Sequence, residues 1–422
     1  MQDLGIISPS LEEFRERAVT HRVIPVCIKI LADSLTPIGI YRSLVLHDGA
    51  ADPGTFLLES AKTATEGESA AWDRYSFIGA SSRSTLTTRD GKIYWQGQTP
   101  AGAPTEGDPV EAIDQTLRML HTEPVPGLPP LTSGLVGYLG WDVVRRWENL
   151  PYPPADDVNL PEFALNMVSD MAIHDNTDGT VLLIANAINF NGTDENVDDA
   201  YVDAVERLHR MLQQLEQGAS ETASVLTGVS EVNDRIHREV TQTWSVQGYQ
   251  DAIDRCKKNI IDGDVFQIVI SRRFEVETGA DALDVYRVLR QSNPSPYMYL
   301  FNFEDAEGIP FQIVGSSPEA LVTLKEGRAT SHPIAGSRPR GATREQDIAL
   351  AEELLADQKE RSEHLMLVDL ARNDLSRIAK PGTVSVDEFM VIERFSHIMH
   401  ISSSVSAELD PQFSAYDVLR VA

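Results

Sequence analysis

The stretch YMYLFNFEDAEGIPFQIVGSSPEALVTLKEGRATSHP, residues 297–333, decides the fold. It holds four apolar, strand-like segments at 297–303, 311–315, 320–324 and 329–333, parted by short runs of turn-forming and charged residues. Upstream, residues 249–261 are patterned as a helix, 265–276 as a strand and 282–291 as a helix. Downstream, the apolar positions Ile348, Leu350, Ala351, Leu354, Leu355, Leu365, Leu367, Val368 and Ala371 suit one long helix over 343–378, or two that abut. Runs of strands broken by helices, rather than strict strand–helix alternation, indicate an α+β fold with antiparallel sheets.

The first half of the chain is also mixed α and β. Residues 163–173 and 181–188 flank the polar turn Asp175-Asn176-Thr177-Asp178-Gly179 and read as a β-hairpin. Ser10 followed by Glu13 is a capping-box pattern that opens a helix, with Leu11, Phe14 and Ala18 on one face. Apolar content falls over 217–234, where a connection is expected between an N-terminal region, 1–230, and a C-terminal region, 235–422.

With 42% hydrophobic residues over 422 positions, the chain can bury a large core. Its formal charge of -28 argues against general affinity for nucleic acid or for an anionic membrane surface. An anionic substrate must then meet a local cluster of donors, for which Arg338 and Arg340 are candidates. No apolar run is long enough to span a bilayer, and the N-terminus has no apolar core of a secretion signal. Cys27 and Cys256 are distant and form no metal-type or C-x-x-C spacing, so a cytoplasmic, reducing compartment is expected. The sequon Asn191-Gly192-Thr193 is then a surface turn rather than a glycosylation site.

Three clusters in the C-terminal half can carry chemistry. The turn Gly315-Ser316-Ser317-Pro318-Glu319 ends a strand and presents one carboxylate, which by spacing alone reads first as a solvated turn residue. In the loop His332-Pro333-Ile334-Ala335-Gly336-Ser337-Arg338-Pro339-Arg340-Gly341, two glycines allow close backbone approach and two arginines offer planar donors. That loop matches no phosphate-binding motif, and an ordinary basic loop or an anion site both remain open. Glu360 and Glu363 fall three apart on one helix face beside His364; an exposed acidic face explains them, and so does Mg²⁺, which takes one or two carboxylates beside its substrate.

Taken in order, Leu57-Leu58-Glu59-Ser60, Arg74-Tyr75-Ser76-Phe77-Ile78-Gly79, Asn293-Pro294-Ser295-Pro296-Tyr297-Met298, the 315–319 turn, the 334–341 loop, the string EHLMLVDLARNDL at 363–375 and His400 resemble the chorismate-utilising enzymes, specifically the component I family of anthranilate synthases. The resemblance covers nearly the whole chain. It implies antiparallel sheets packed in a sandwich and flanked by helices, with the fold incomplete at the C-terminus because family strings expected after Ala422 do not appear. It also implies a reaction that joins chorismate and ammonia, expels the C4 hydroxyl with Mg²⁺ assistance and eliminates pyruvate to leave anthranilate.

Carried over by resemblance, Glu363 is a Mg²⁺ ligand with Glu360 in the same acidic site, and Gly336 and Ser337 contact chorismate. Glu319 is the general acid toward the C4 oxygen, a role that needs a raised pKa. His400 serves pyruvate elimination. Ser60, Pro296, Tyr297 and Met298 match the residues that bind tryptophan as feedback inhibitor, which makes the 1–230 region in part regulatory. A glutamine amidotransferase subunit, component II, is the implied partner and source of ammonia in a hetero-oligomer. Aminodeoxychorismate-forming relatives carry a lysine where this chain has Ala335. Isochorismate-forming relatives use one on the strand that holds Gln267, whose amide does not ionise usefully. Ammonia is therefore the expected attacker, and those two activities, or a non-catalytic fragment that only binds, are the alternatives.

Overall fold

The computed structural model describes residues 4–60, 74–120, 125–188, 196–218, 240–395 and 397–422. The sequon at 191–193, the expected boundary between 230 and 235, and residues 219–234 of the expected connection lie outside the described residues. The chain forms two compact units, one made of residues 1–219 with 282–422 and the other of 220–281.

The first unit is built on two antiparallel sheets. In the larger, Ile7–Ser8, Val23–Leu31, Thr180–Ile188, Phe163–Asp175, Tyr75–Arg89, Phe56–Glu59, Tyr297–Glu304 and Pro310–Ser317 follow one another across the sheet. The hairpin expected around residues 175–179 is present, pairing Thr180 with Asp175 through Ala185 with Asp170. Both of its strands are buried along their full length, so the alternation of a half-exposed strand is absent from their sequence. Helix Val197–Gln217 covers this region with Ala204, Leu208, Met211 and Leu215. Its buried Arg207 donates to Asp170, Asp203 and the carbonyls of Ser169 and Asn186, so the charge is paired where solvent is excluded. The first helix, Leu11–Ala18, opens with the expected capping box of Ser10 and Glu13 and buries Phe14.

Strands from the two expected regions share this sheet. Tyr297–Glu304 pairs with Phe56–Glu59, setting Met298 against Glu59 and Phe301 against Phe56. The sheet therefore crosses the division between 1–230 and 235–422.

The second sheet has Ile398–Glu408 at its centre, flanked by Ser385–Arg394 on one side and by Ile334–Pro339 and Arg328–Ser331 on the other, with Thr323–Lys325 at the edge. Two helices pack on one face, Arg344–Ala356 through Ala351 and Leu354, and Gln358–Ser376 through Val368, Ala371 and Leu375. The choice left open over 343–378 falls to two helices, broken at Asp357. That residue is extended, with φ -69° and ψ 110°, and its Oδ1 accepts the N–H groups of Lys359 at 3.0 Å and Glu360 at 3.3 Å.

Two expectations need correction. The basic loop at 334–341 is mostly strand, Ile334–Pro339, because its backbone is held by the neighbour Ile398–Glu408. In the second unit, the strand expected at 265–276 is reduced to Phe274–Glu275, paired with Thr241–Gln242. A strand needs a neighbouring backbone for its N–H and C=O groups, and among the described residues this segment has only those two positions to pair with. Phe266 and Val269 are exposed as a result. The helix before them, Val246–Asp262, forms as expected between the Ser245 cap and a left-handed Gly263.

Candidate functional site

The site is organised by one extra residue. Between Ile334–Pro339 and Ile398–Glu408, Ala335 pairs with Ile401 and Ser337 with His400, which leaves Gly336 bulged out of the ladder at φ +64°. The bulge keeps Ala335 and Arg338 on the helix-covered face, beside Ile401 and Met399, while Ser337 and His400 share the opposite face. It also turns the Gly336 carbonyl toward the His400 ring, which donates from Nδ1 at 2.8 Å. A carbonyl only accepts, so Nδ1 carries the hydrogen and the neutral ring presents Nε2 as an acceptor. The Phe395 ring meets His400 edge-on, with centroids 5.6 Å apart.

On its other side Gly336 lies against the helix that begins at Gln358. A Cβ there would come within 3.1 Å of Leu354 Cδ1 and 3.2 Å of Glu360 Cβ and Oε2, so a side chain would push both back by a few tenths of an ångström at a backbone angle that already favours glycine. Glu360 and Glu363, both half-buried, sit one helical turn apart on this helix. Among the described residues no group of three or more His, Cys, Asp or Glu is arranged to hold a metal ion. A pair of hard carboxylate oxygens suits Mg²⁺, which keeps waters and shares its remaining positions with a substrate. Their neighbour His364 faces inward: it is fully buried, bonded through Nε2 to Ser403 Oγ at 2.6 Å, and burial lowers its pKa so that it stays neutral.

Glu319 reaches the same neighbourhood from the larger sheet. The strand Pro310–Ser317 ends two residues earlier, and the Ser317 hydroxyl closes the turn by accepting the Glu319 N–H at 3.4 Å and donating to its carbonyl at 3.1 Å. The Glu319 carboxyl takes a hydrogen bond from the Ile334 N–H, which ties it to the strand of Gly336. Partial desolvation, reinforced by the charge of Glu393, outweighs that bond and raises its pKa from the ordinary glutamate value. A carboxyl so placed holds its proton better than an exposed one, as a proton donor must.

The two arginines are not open to an anion in the way their sequence context suggests. Arg338 donates to Glu353 at 2.9 Å and Asp357 at 3.0 Å, and Arg340 donates to Asp347 at 2.7 Å and to the Phe395 carbonyl at 2.7 Å. They brace the strand against the helices instead. Asp347 also accepts from Arg394 at 3.0 Å and from the Gly341 N–H at 2.9 Å, and these partners, Arg340 first, hold its pKa well below the usual carboxylate value. Sequence reading missed Asp347; its place in the first turn of a helix, four residues after a capping Thr and six after Gly341, was the available signal.

A second group forms at the Phe56–Glu59 and Tyr297–Glu304 pair. Met298, fully buried, lies across from Glu59, so Ser60, Pro296, Tyr297 and Met298 gather at one end of it. Glu59 is buried and accepts from Tyr286 Oη at 2.7 Å and Arg290 Nε at 3.1 Å. The neighbouring Ser295 Oγ is buried with no hydrogen-bond partner among the described residues. Tyr297 and Met298 pair in turn with Ser317 and Ser316, so one hairpin joins this group to Glu319. Gln267 is exposed in the other unit.

The model of the chorismate binding enzyme family matches residues 55–422. The chain belongs to that family. Within it, this chorismate binding enzyme is 58% identical over 420 residues to anthranilate synthase component 1 of Arthrobacter globiformis, covering all of this chain and 77% of the relative. It is 53% identical to the protein of that name from Mycolicibacterium smegmatis, covering 97% of this chain and 75% of the relative. Its relatives place it among the anthranilate synthase component 1 proteins. The crystal structure of anthranilate synthase component I from Streptococcus pneumoniae superposes with a TM-score of 0.67 at 28% identity, over 86% of this chain and 74% of that one. MenF, the menaquinone-specific isochorismate synthase from Escherichia coli, shares the fold, with a TM-score of 0.61 at 14% identity over 98% and 79% of the two chains. The α+β reading, with antiparallel sheets flanked by helices, thus agrees with both the structure and its relatives.

Among the described residues, no helix of this family member is long and apolar enough to cross a membrane.

Proposed function

We propose that this chain is the synthase component of an anthranilate synthase, converting chorismate and ammonia to anthranilate, pyruvate and water in tryptophan biosynthesis. The observation that carries the reading is the Gly336 bulge: its carbonyl holds the His400 ring beside Ser337, Glu360 packs against it from the helix side, and Glu319 is tied to the same strand through Ile334. Gly336 and Ser337 offer a close backbone approach and a hydroxyl to the substrate. Glu319 gives its proton to the departing C4 oxygen as the amine adds to the ring. His400, held by its Nδ1–H on the Gly336 carbonyl, serves the elimination of pyruvate through Nε2. Glu360 and Glu363 would hold Mg²⁺, which when bound offsets the negative charge of the substrate and of the leaving oxygen. Ala335 and Gln267 supply no nucleophile or base of their own, in keeping with ammonia as the attacking amine. The partner is component II, a glutamine amidotransferase that supplies ammonia in a hetero-oligomer. Cys27 and Cys256 are in no disulfide, which suits a cytoplasmic protein.

The test is anthranilate fluorescence from the purified chain with chorismate, Mg²⁺ and excess ammonium. Anthranilate should appear, vanish with chelator and return with added Mg²⁺. A folded chain that gives no anthranilate under these conditions overturns the assignment of this activity to the chain.

Feedback by tryptophan belongs to the same reading, with Ser60, Pro296, Tyr297 and Met298 as its binding group. Ser60→Ala removes one hydroxyl, worth about 1 kcal/mol, and should weaken tryptophan inhibition about fivefold. Titrating anthranilate formation with tryptophan checks this; an unchanged inhibition constant removes Ser60 from the site.

A further inference from the structure

The central strand Ile398–Glu408 has a neighbour on each side of His400. Ser337 stands across from it on one side and Glu393, of Ser385–Arg394, on the other. Partners directly opposite in an antiparallel ladder project from the same face, with Cβ atoms about 4.5–5.5 Å apart. Glu393, His400 and Ser337 therefore form one row on the face that bears the site, and the first two are half-buried. The next row, Arg394, Met399 and Arg338, points to the opposite face, where Arg394 and Arg338 are bonded to Asp347, Glu353 and Asp357. Arg340 is closed onto Asp347 as well. Nothing assigned to the site so far uses Glu393.

We propose that Glu393 is a positioning residue of this site, acting on the Glu319 carboxyl and lining the substrate side of His400 from the neighbouring strand. This rests on the anthranilate-forming reading. Its charge favours the protonated form of Glu319; His400 is the titratable ring in its own row, and the Glu360 carboxylate lies against Gly336 from the helix side. Desolvation raises the proton affinity of Glu319 first and Glu393 adds to it, against the Ile334 N–H. The sign follows directly. A general acid is active below its pKa, so the rate falls as pH rises through that value. Removing a like charge lowers the value and moves the fall to lower pH.

Glu393→Gln keeps the shape and removes the charge. Measured on the whole chain at constant free ammonia, the alkaline limb of kcat should move to lower pH, by the part of the rise that the like charge supplies beside the larger one from desolvation. KM for chorismate should change less than kcat, and Glu393→Asp should restore most of the limb. Titration of the Glu319 carboxyl by carbon NMR, assigned with Glu319→Gln, should show the same downward shift without any turnover. That second readout separates this proposal from the reaction itself. An unmoved carboxyl titration overturns the role of Glu393 whatever the chain catalyses; a shifted titration supports it even where no anthranilate forms. A variant that raises KM with an unmoved pH profile also overturns it, since that is the behaviour of a packing residue.

Discussion

Glu319→Gln is expected to lower anthranilate formation with ammonia by roughly 10²- to 10⁴-fold, the range for loss of a positioned general acid. The amide keeps the volume and accepts the Ile334 N–H, but it has no acidic proton to give to the leaving oxygen. Loss should appear in kcat, because proton transfer is made in the transition state, while KM for chorismate stays close to its starting value. Steady-state kinetics beside a thermal melt give the answer. A variant that retains more than about a tenth of the activity would remove Glu319 from the acid role, since such a loss is far below what a general acid contributes. In the parent chain the rate should decline as pH rises through the elevated Glu319 value. An exposed carboxyl would ionise at lower pH.

The second large effect concerns stability. Asp347 gathers Arg340, Arg394 and the Gly341 N–H, and its side chain is only 12% exposed, so Asp347→Ala leaves two guanidinium groups without their carboxylate. The expected cost is about 3 kcal/mol, read as a drop in the thermal midpoint. The pH dependence has a definite sign. Asp347 has a depressed folded pKa, so its contribution is present above the ordinary carboxylate value and is lost as pH falls toward the folded one. Asp347→Asn should therefore lose most stability near neutral pH and converge with the parent in strong acid. Equal melting temperatures at pH 7 would show that the cluster adds nothing. Because Arg340 and Gly341 directly follow the strand that carries Gly336, the same change should also raise KM for chorismate.

Much of this was legible along the chain. Helices at 249–261 and 282–291 announced themselves by period and ends, and the strands around 297–315 by apolar runs broken at Gly308 and Pro310. The Ser10–Glu13 box needed only four residues to be read, since its partners are three apart. The 334–341 segment misled because Gly, Pro and Arg are loop-like in composition, whereas its backbone is claimed by a strand some sixty residues later. Residues 265–276 misled in the opposite direction. Their β-rich pattern promised a strand, and only two positions found a neighbour. The arginines at 338 and 340 looked like substrate donors because their carboxylate partners, Glu353 and Asp347 on one helix and Asp357 at the break after it, are brought to them only by packing.

By itself the sequence determined the local elements, the α+β class, and, through an ordered set of strings, the family. Period, caps and turns depend on residues a few positions apart, so they are written in the chain. Which carboxylate meets which ring was decided only by the tertiary structure. Gly336 lies next to His400, Glu360 and, through Ile334, the strand that holds Glu319, groups separated by tens of residues, because one bulged position shifts the register by one residue while both flanks stay paired. Glu393 joined that row for the same reason: register across three strands is a property of the sheet, and no spacing along one strand reveals it.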